Sequence, residues 1–241
     1  HTYFVEPLNK DIVLSQTDYI HDFCSAFQKD NIIGTQFHPE KSHQAGEIFL
    51  KNFIDIWLMF RPRLIPVLLI EDGMLVKTKK FKSGVYVGDP INAVRIFNDL
   101  QADELIFLDI SASKNKKTIS LELIETVGEE SNMPFSVGGG IRTIEDIKKI
   151  INSGAERVVL SSAACENPQF IKEASDYFGS STIAVCLDIK KDFFGNYSIY
   201  YENGKKKLNF PYLDFISELE TMGVGEIIIQ SILNDGMMQG Y

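Results

Sequence analysis

Leu64-Ile65-Pro66-Val67-Leu68-Leu69-Ile70 and Ile183-Ala184-Val185-Cys186-Leu187-Asp188-Ile189 are two apolar runs that align position by position, about 120 residues apart. A similar spacing relates Asp103-Glu104-Leu105-Ile106-Phe107-Leu108 to Gly225-Glu226-Ile227-Ile228-Ile229-Gln230. Two matching pairs at one offset indicate an internal repeat, and the β-branched composition is typical of buried strands. A twofold repeat of four strand–helix units would give eight units, which is the number in a (β/α)₈ barrel.

Apolar runs alternate with helical stretches over most of the chain. Ile91–Leu100 and Ile144–Ser153 show the helical period, while the runs are apolar on both faces, as in a parallel sheet covered by helices. The second copy of the repeat reaches only its second unit before Tyr241. The sequence therefore predicts an α/β fold, a TIM barrel truncated after its sixth strand. The predicted strands are Leu64–Ile70, Glu104–Asp109, Pro134–Val137, Arg157–Leu160, Thr182–Leu187 and Glu226–Gln230.

The N-terminal part of the chain does not fit this repeat. Gly46–Trp57 reads as a helix with an apolar face, and the junction that follows it contains no Gly/Ser spacer. Met59 is a candidate start of a second protein, so read-through between adjacent genes is one explanation of the fusion. We expect domains at residues 1–58 and 59–241, the first cut at its beginning because His1 lies in a predicted strand. The strands predicted there are Tyr3–Val5, Ile12–Leu14 and Asn31–Phe37.

Composition excludes several classes of protein. The net charge of −9 and the pI near 5.0 argue against a general nucleic-acid binder. The three cysteines are far apart and form no C-x-x-C pair, which favours free thiols in a reducing, cytoplasmic setting over disulfides or zinc. No apolar run has the length of a membrane span, so we expect no membrane partner. The basic runs at 77–80 and 205–207 are either solvated loops or sites that attract a phosphorylated small molecule.

Two motif sets resemble one enzyme family. Gly34-Thr35-Gln36-Phe37-His38-Pro39-Glu40-Lys41-Ser42 resembles the class I glutamine amidotransferases, most closely the glutaminase subunit of imidazole glycerol phosphate synthases, and His1–Val5 matches an upstream segment of it. Residues 63–241 resemble the cyclase subunit of the same enzyme. The resemblance makes residues 1–58 the C-terminal part of a class I glutamine amidotransferase α/β domain, placed before the truncated barrel. The cyclase motifs are Asp103–Ile110, Val137–Ile141, Ala163–Pro168 and Asp235-Gly236.

The resemblance assigns catalytic roles to two residues of the first domain. Glutamine hydrolysis needs a thiolate, a base and a group that orients the base. The resemblance makes His38 the base and Glu40 the orienting group. The nucleophile belongs on an earlier strand-to-helix elbow, and Cys24 lacks the flanking glycines, so we interpret it as a structural thiol. We expect this chain alone to be unable to hydrolyse glutamine.

The carboxyl ends of barrel strands carry the active site in such folds. Cyclisation in the family uses carboxylates on the first and fifth strands as acid and base; the fifth-strand group is present as Asp188, but its repeat partner is Leu69. Leu69 is either ordinary barrel filling or a functional loss, and in both cases the acid–base pair is broken. The resemblance implies a substrate with a phosphate at each end. Its predicted contacts are Lys77, Asp109, Gly139, Gly140, Ser161, Ser162, Asp235 and Gly236.

Charged residues stand at the starts of four predicted strands. Charges of alternating sign around one barrel opening would pair, since their burial otherwise costs several kcal/mol each. They either cap the barrel floor or, as the resemblance implies, form a gate that admits ammonia: Arg63, Glu104, Arg157 and Glu226. Lys41 and Glu156 match positions that pair across the two subunits of the family.

Three functions stay open at this level. The Leu at position 69 resembles a paralogous cyclase branch of surface-polysaccharide pathways, which passes ammonia to an enzyme that makes acetamidino groups on sugars. Imidazole glycerol phosphate synthesis for histidine is the second function, and an inactive or scaffold fragment is the third. The expected partners are glutamine-derived ammonia, a phosphorylated small molecule and a complementary glutaminase region or subunit. No metal and no cofactor is expected.

Overall fold

The computed structural model describes residues 4–29, 32–60, 62–193 and 195–238. The chain divides into two compact units, residues 1–62 and 63–241. His1, Thr2 and Tyr3 of the matched upstream segment, of which Tyr3 begins a predicted strand, lie outside the described residues, as do Asn31 of the predicted strand Asn31–Phe37 and Tyr241.

The first unit is a small antiparallel sheet followed by a helix. Its strands pair in the order β1-β2-β3, and Cys24 and Ala26 of β2 are buried. The Cys24 thiol donates to the carbonyl oxygen of Ala26 at 3.4 Å, so this cysteine is a packed residue of a strand. The elements are β1 (Val13–Tyr19), β2 (His21–Lys29), β3 (Ile32–Thr35) and α1 (His43–Phe60).

The second unit alternates strands and helices. Two helices show sequence-encoded starts: Asp89 caps α2 ahead of Pro90, and Thr143 and Asp146 form a capping box on α4. The elements are β4 (Val67–Glu71), β5 (Met74–Lys79), β6 (Lys82–Gly88), α2 (Pro90–Asp99), β7 (Leu105–Asp109), α3 (Leu121–Glu130), β8 (Phe135–Gly138), α4 (Ile144–Asn152), β9 (Arg157–Leu160), α5 (Ser162–Glu166), α6 (Gln169–Phe178), β10 (Ile183–Lys191), β11 (Tyr197–Tyr201), β12 (Lys206–Lys207), α7 (Tyr212–Thr221) and β13 (Glu226–Ser231).

Six of these strands form a parallel sheet in the order β4-β7-β8-β9-β10-β13. Each of the six was predicted as an apolar run, and the α/β class with its parallel sheet is confirmed. The sheet is not closed, because β4 and β13 do not pair within the described residues. Two antiparallel hairpins extend the sheet, β5–β6 beside β4 and β11–β12 beside β10.

Alternation along the strands separates two cores. In β10, Ile183, Val185 and Leu187 are fully buried in the large core beneath the helices. The intervening Ala184 and Cys186 belong to a second cluster on the other face, with Ile106 and Val159. Successive side chains of a strand point to opposite faces, so one face packs on helices and the other lines the inside of the curved sheet. We call this second cluster the lumen layer.

Candidate functional site

Four charged side chains meet at the amino ends of the parallel strands. Arg63 Nη1 donates to Glu104 Oε2 at 3.1 Å, and its Nη2 donates to Glu226. Arg157 Nη1 lies 3.2 Å from Glu104 Oε1 and 2.5 Å from Glu226 Oε2. Each arginine therefore contacts both glutamates. The structure brings together all four residues predicted for this end, and we call them the charged ring.

Glu104 is the buried member of the charged ring. Its side chain is 6% exposed, whereas that of Arg63 is 45% exposed. Ser136 of the neighbouring strand β8 donates to Glu104 Oε1 at 2.5 Å, and Arg157 Nε donates to the Ser181 carbonyl oxygen at 2.9 Å. Glu104 and Arg157 thus have partners beyond the ring that fix them in place. The sequence did not predict the Ser136 contact, because no feature of Phe135–Gly138 indicates on which face of the sheet the Ser136 hydroxyl lies.

The lumen layer lies between the charged ring and the carboxyl ends of the strands. Ile106 follows Glu104 and Val159 follows Arg157 by two residues, Ala184 pairs in register with Glu226, and all three are buried. Ile65, Leu108 and Ile228 pack against them. The layer is apolar apart from the Cys186 thiol, whose pKa is raised mainly by burial. This thiol is therefore protonated at neutral pH.

A cavity of about 440 Å³ opens at the carboxyl ends of the strands. We call it the mouth cavity. Its lining combines acidic and basic groups with small polar ones, as a site for a charged metabolite would. Of the residues predicted from sequence, the lining includes Leu69, Asp109, Gly139, Gly140, Ser161, Ser162 and Asp188. It also includes Thr78, Lys82, Lys114 and Lys205, of which Thr78 and Lys205 lie in the two basic runs singled out in the sequence.

Asp188 is the one buried carboxylate of the mouth cavity among the described residues. It is 7% exposed, and burial, followed by the nearby charge of Asp235, raises the pKa of its carboxyl to about 7. A carboxyl group with this pKa can donate or accept a proton near neutrality. Leu69 lines the same cavity, where it pairs in register with Leu108 of β7. The position of β4 that aligns with Asp188 in the internal repeat is therefore apolar.

The Gly-rich turn after β8 forms a tight backbone bend in the cavity wall. Gly140 has a φ of +68°, and a Cβ at this position would collide with the Lys117 carbonyl oxygen. A side chain is thus excluded here by both conformation and space. Close approach of backbone N–H groups is what a phosphate-binding turn needs. Ser162 already accepts from the Glu202 N–H at 3.1 Å, while Asp109 Oδ1 accepts from the N–H groups of Ser111 and Ala112.

Three predicted contacts do not line the mouth cavity. Lys77 is an exposed residue of strand β5. Asp235 and Gly236 lie in the turn after β13, where the Asp235 carboxylate accepts from Thr78 Oγ1 at 2.7 Å. The substrate-contact role of these three residues stays a prediction, and their observed neighbours belong to the hairpin β5–β6.

His38 and Glu40 form a dyad in the first unit. His38 Nδ1 and Glu40 Oε1 are 2.9 Å apart, and both side chains are more than half exposed. A backbone hydrogen bond, and then the hydrogen bond with His38, lowers the pKa of Glu40. This contact orients the imidazole as a base–orienter pair requires. Lys41 and Glu156 belong to different units, so their pairing stays a prediction.

Comparisons with known proteins agree with this architecture. Residues 63–241 match the model of the family described as histidine biosynthesis protein, which covers well over half of the chain. Residues 1–56 match the class-I glutamine amidotransferase model. The chain therefore belongs to the histidine biosynthesis protein family, whose fold is the TIM barrel, and carries a glutamine amidotransferase segment before it.

Its relatives are subunits of one enzyme type. A provisionally named imidazole glycerol phosphate synthase subunit hisF3 of Vibrio vulnificus is 46% identical over 187 residues, 77% of this chain and 72% of the relative. A provisionally named HisF subunit of Leptospira interrogans is 44% identical over 184 residues, 76% and 72% of the two chains. The imidazole glycerol phosphate synthase subunit HisF of Streptococcus sanguinis is 37% identical over 183 residues, 76% and 73%. The resemblance to the cyclase subunits is confirmed.

No described helix combines the length and apolar character needed to cross a bilayer. Within the same described residues, no cluster of three or more His, Cys, Asp or Glu side chains has a metal-binding arrangement.

We predict that Glu104→Ala destabilises the second unit by about 2–4 kcal/mol, because the arginines and Ser136 lose a buried acceptor. Glu226→Ala should cost about 1 kcal/mol, since that carboxylate is more exposed and makes fewer bonds. Urea unfolding of the two variants and the parent chain measures the difference. Equal costs for the two glutamates would contradict the distinction drawn between them.

We predict that Asp188→Asn removes a pH-dependent loss of stability. The folded-state pKa of about 7 lies above the ordinary 3.8, so the folded protein holds a proton that the unfolded chain releases. Stability due to this group is present below about pH 4 and declines as pH rises through 7. The variant should therefore gain about 2–4 kcal/mol over the parent between pH 4 and 8, read from urea unfolding at each pH. A constant difference across that range would refute the assignment.

Proposed function

We propose that this chain is a HisF-type component of a glutamine-dependent, ammonia-channelling synthase, of a paralogous kind that supplies ammonia for acetamidino modification of a sugar. Ammonia would pass the charged ring, cross the lumen layer and reach the mouth cavity. The single observation that carries the proposal is this order of three layers along one set of strands. A neutral molecule of this size can cross an apolar layer, whereas an ammonium ion would have to shed its water at high cost.

The proton-transfer groups of the mouth cavity favour the paralogous branch over histidine synthesis. Asp188 is retained with a pKa suited to proton transfer, but Leu69 cannot transfer protons. Ring closure in the family uses both positions, whereas delivery of ammonia needs neither. The provisionally named hisF3, hisF2 and Leptospira interrogans HisF are 46%, 45% and 44% identical, against 37% for the HisF of Streptococcus sanguinis. This difference also supports a branch apart from the HisF subunits.

Imidazole glycerol phosphate synthesis for histidine is the second candidate. The Gly-rich turn, Asp109 and Asp188 all line the mouth cavity as a cyclase would need. Glu71 and Asp72 line it as well, at the end of the same strand as Leu69, and offer replacement carboxylates. An inactive or scaffold fragment is the third candidate, from a different class.

The proposed function also needs an ammonia source, a final substrate and a compartment. The ammonia source is a complementary glutaminase region or subunit that provides the nucleophile missing beside His38. The final substrate is a phosphorylated small molecule, drawn in part by the lysines of the mouth cavity, Lys82, Lys114 and Lys205. Three buried free cysteines support a reducing, cytoplasmic setting.

We predict that the purified chain releases no ammonia from glutamine at a steady rate. The His38–Glu40 dyad can orient a base, but Cys24, the cysteine of its unit, is packed in strand β2 and donates to a backbone carbonyl. A coupled glutamate-formation assay measures release, with His38→Ala as the matched control. Steady ammonia release that disappears in the control variant would contradict the expectation that this chain alone cannot hydrolyse glutamine.

We predict that Leu69→Asp raises cyclisation with ammonium salts by about 10²–10⁴-fold, because it restores the second proton-transfer group. The assay uses the bisphosphate substrate of imidazole glycerol phosphate synthases. Leu108→Asp is the matched control, since Leu108 pairs with Leu69 in register and lines the same cavity. The control should stay inactive, because its carboxylate is misplaced.

Two outcomes of this assay would overturn the proposal. Strong cyclisation by the parent chain would establish the histidine-type reaction and make Glu71 or Asp72 the replacement acid. An equal lack of activity in Leu69→Asp, with folding intact by circular dichroism, would show that the loss at position 69 is not what separates this chain from the cyclases.

A further inference from the structure

The hairpin β5–β6 ends in a two-residue turn without glycine. Lys80 and Phe81 both have positive φ, 53° and 57°, so the turn has the backbone of the tight primed turns that join twisted strands. Such a conformation costs energy in residues that carry a Cβ, and surrounding contacts must compensate it. The hairpin therefore needs a specific support at its tip.

The turn after β13 provides that support. Asp235 Oδ2 accepts from Thr78 Oγ1 at 2.7 Å and from the Phe81 N–H at 3.0 Å. The Asp235 carbonyl oxygen accepts from the Lys80 N–H at 3.0 Å. Hydrogen bonds to a carboxylate are roughly twice as strong as neutral ones. One residue thus holds three groups at the hairpin tip, more than 150 positions away in the chain.

Close packing accompanies these hydrogen bonds. Gly236 has a φ of +65°, and a Cβ there would collide with the Thr78 carbonyl oxygen. On the other side of the tip, a Cβ at Gly204 would lie 3.2 Å from Ile232 Cδ1 and 3.4 Å from Phe81 Cδ2. The Phe81 ring is therefore held between the turn that precedes β12 and the turn that follows β13.

The supported hairpin forms one wall of the mouth cavity. Thr78, Phe81 and Lys82 line the cavity together with Asp188 and Cys186. Thr78 is only 4% exposed, which shows that the hairpin tip packs closely against the turn after β13. Moving the hairpin away would open this wall to water and uncover the lumen layer beneath it.

We infer that Asp235 is a positioning residue that holds the hairpin β5–β6 over the mouth cavity, so that Thr78, Phe81 and Lys82 remain in its wall. The inference rests on the proposed function in one respect: the advantage of the covering hairpin would be to keep delivered ammonia from escaping into solvent. The contact itself is independent of which reaction follows. Asp235 thereby acts through the hairpin and need not touch the substrate.

Hydrogen exchange measured by NMR tests the contact directly. In Asp235→Ala the amides of Lys80 and Phe81 should exchange about 10- to 100-fold faster, because the tip loses its charged acceptor and opens locally. Asp235→Asn keeps an oxygen acceptor and should show a smaller increase, and Thr78→Val, which removes one donor, should also show one. Asp176→Ala is the matched control, since it removes one exposed carboxylate on α6. Unchanged exchange in Asp235→Ala and Thr78→Val would overturn the inference.

Thiol labelling tests whether the hairpin covers the cavity. Methyl methanethiosulfonate should modify Cys186 several-fold faster in Thr78→Val than in the parent, with the site identified by mass spectrometry. Cys24, buried in the other unit, is the internal reference and should not change. Thr78→Val leaves every charge in place, so a faster reaction reports access and not a shift in the Cys186 pKa. Equal rates at Cys186 would contradict the role of the hairpin as a cavity wall. Faster labelling of Cys186 together with no gain of cyclisation in Leu69→Asp would count against the proposed function alone.

Discussion

A carboxylate that leaves water must gain hydrogen-bond donors or give up its charge, and three carboxylates of the barrel unit show both outcomes. Glu104 gains donors from two arginines and Ser136. Asp235 gains Thr78 and the Phe81 amide. Asp188 has no such donor among the bonds described and takes up a proton near neutrality instead. The first two fix structure, and the third is left available for chemistry.

The alternation of side chains along parallel strands decides where these groups lie. A one-residue shift in the register of β10 would move Asp188 under the helices and Leu187 into the cavity. The residues that face the lumen are therefore fixed by those that pack in the helix-facing core. The core of Leu105, Val158 and Ile183 therefore sets the positions of the charged ring and the mouth cavity at the same time. The placement of the groups at both ends therefore depends on packing beneath the helices.

Sequence reasoning was strongest where apolar runs repeat and weakest where support comes from distant turns. The six parallel strands and the meeting of Arg63 with Glu226 followed from run positions and charge placement alone. The hairpin β5–β6 was read as a basic loop, because its turn at Lys80 and Phe81 lacks the Gly or Asn that usually marks positive φ. Asp235 contacts the hairpin from a distant part of the chain, and no sequence pattern near the hairpin predicts this contact. The roles assigned to the site residues remain predictions.

The number of proton-transfer groups in the mouth cavity distinguishes the candidate reactions better than the fold does. Under the proposed function, a cyclase and an ammonia relay would use the charged ring and the apolar lumen alike, because both would admit ammonia and exclude its ion. Only ring closure needs two proton-transfer groups placed across the cavity. Leu69 and Leu108 lie side by side in the cavity wall, so β4 and β7 place no titratable group at that level. Asp188 supplies one such group, with a pKa of about 7, whereas its repeat partner Leu69 supplies none, so the pair that ring closure uses is incomplete.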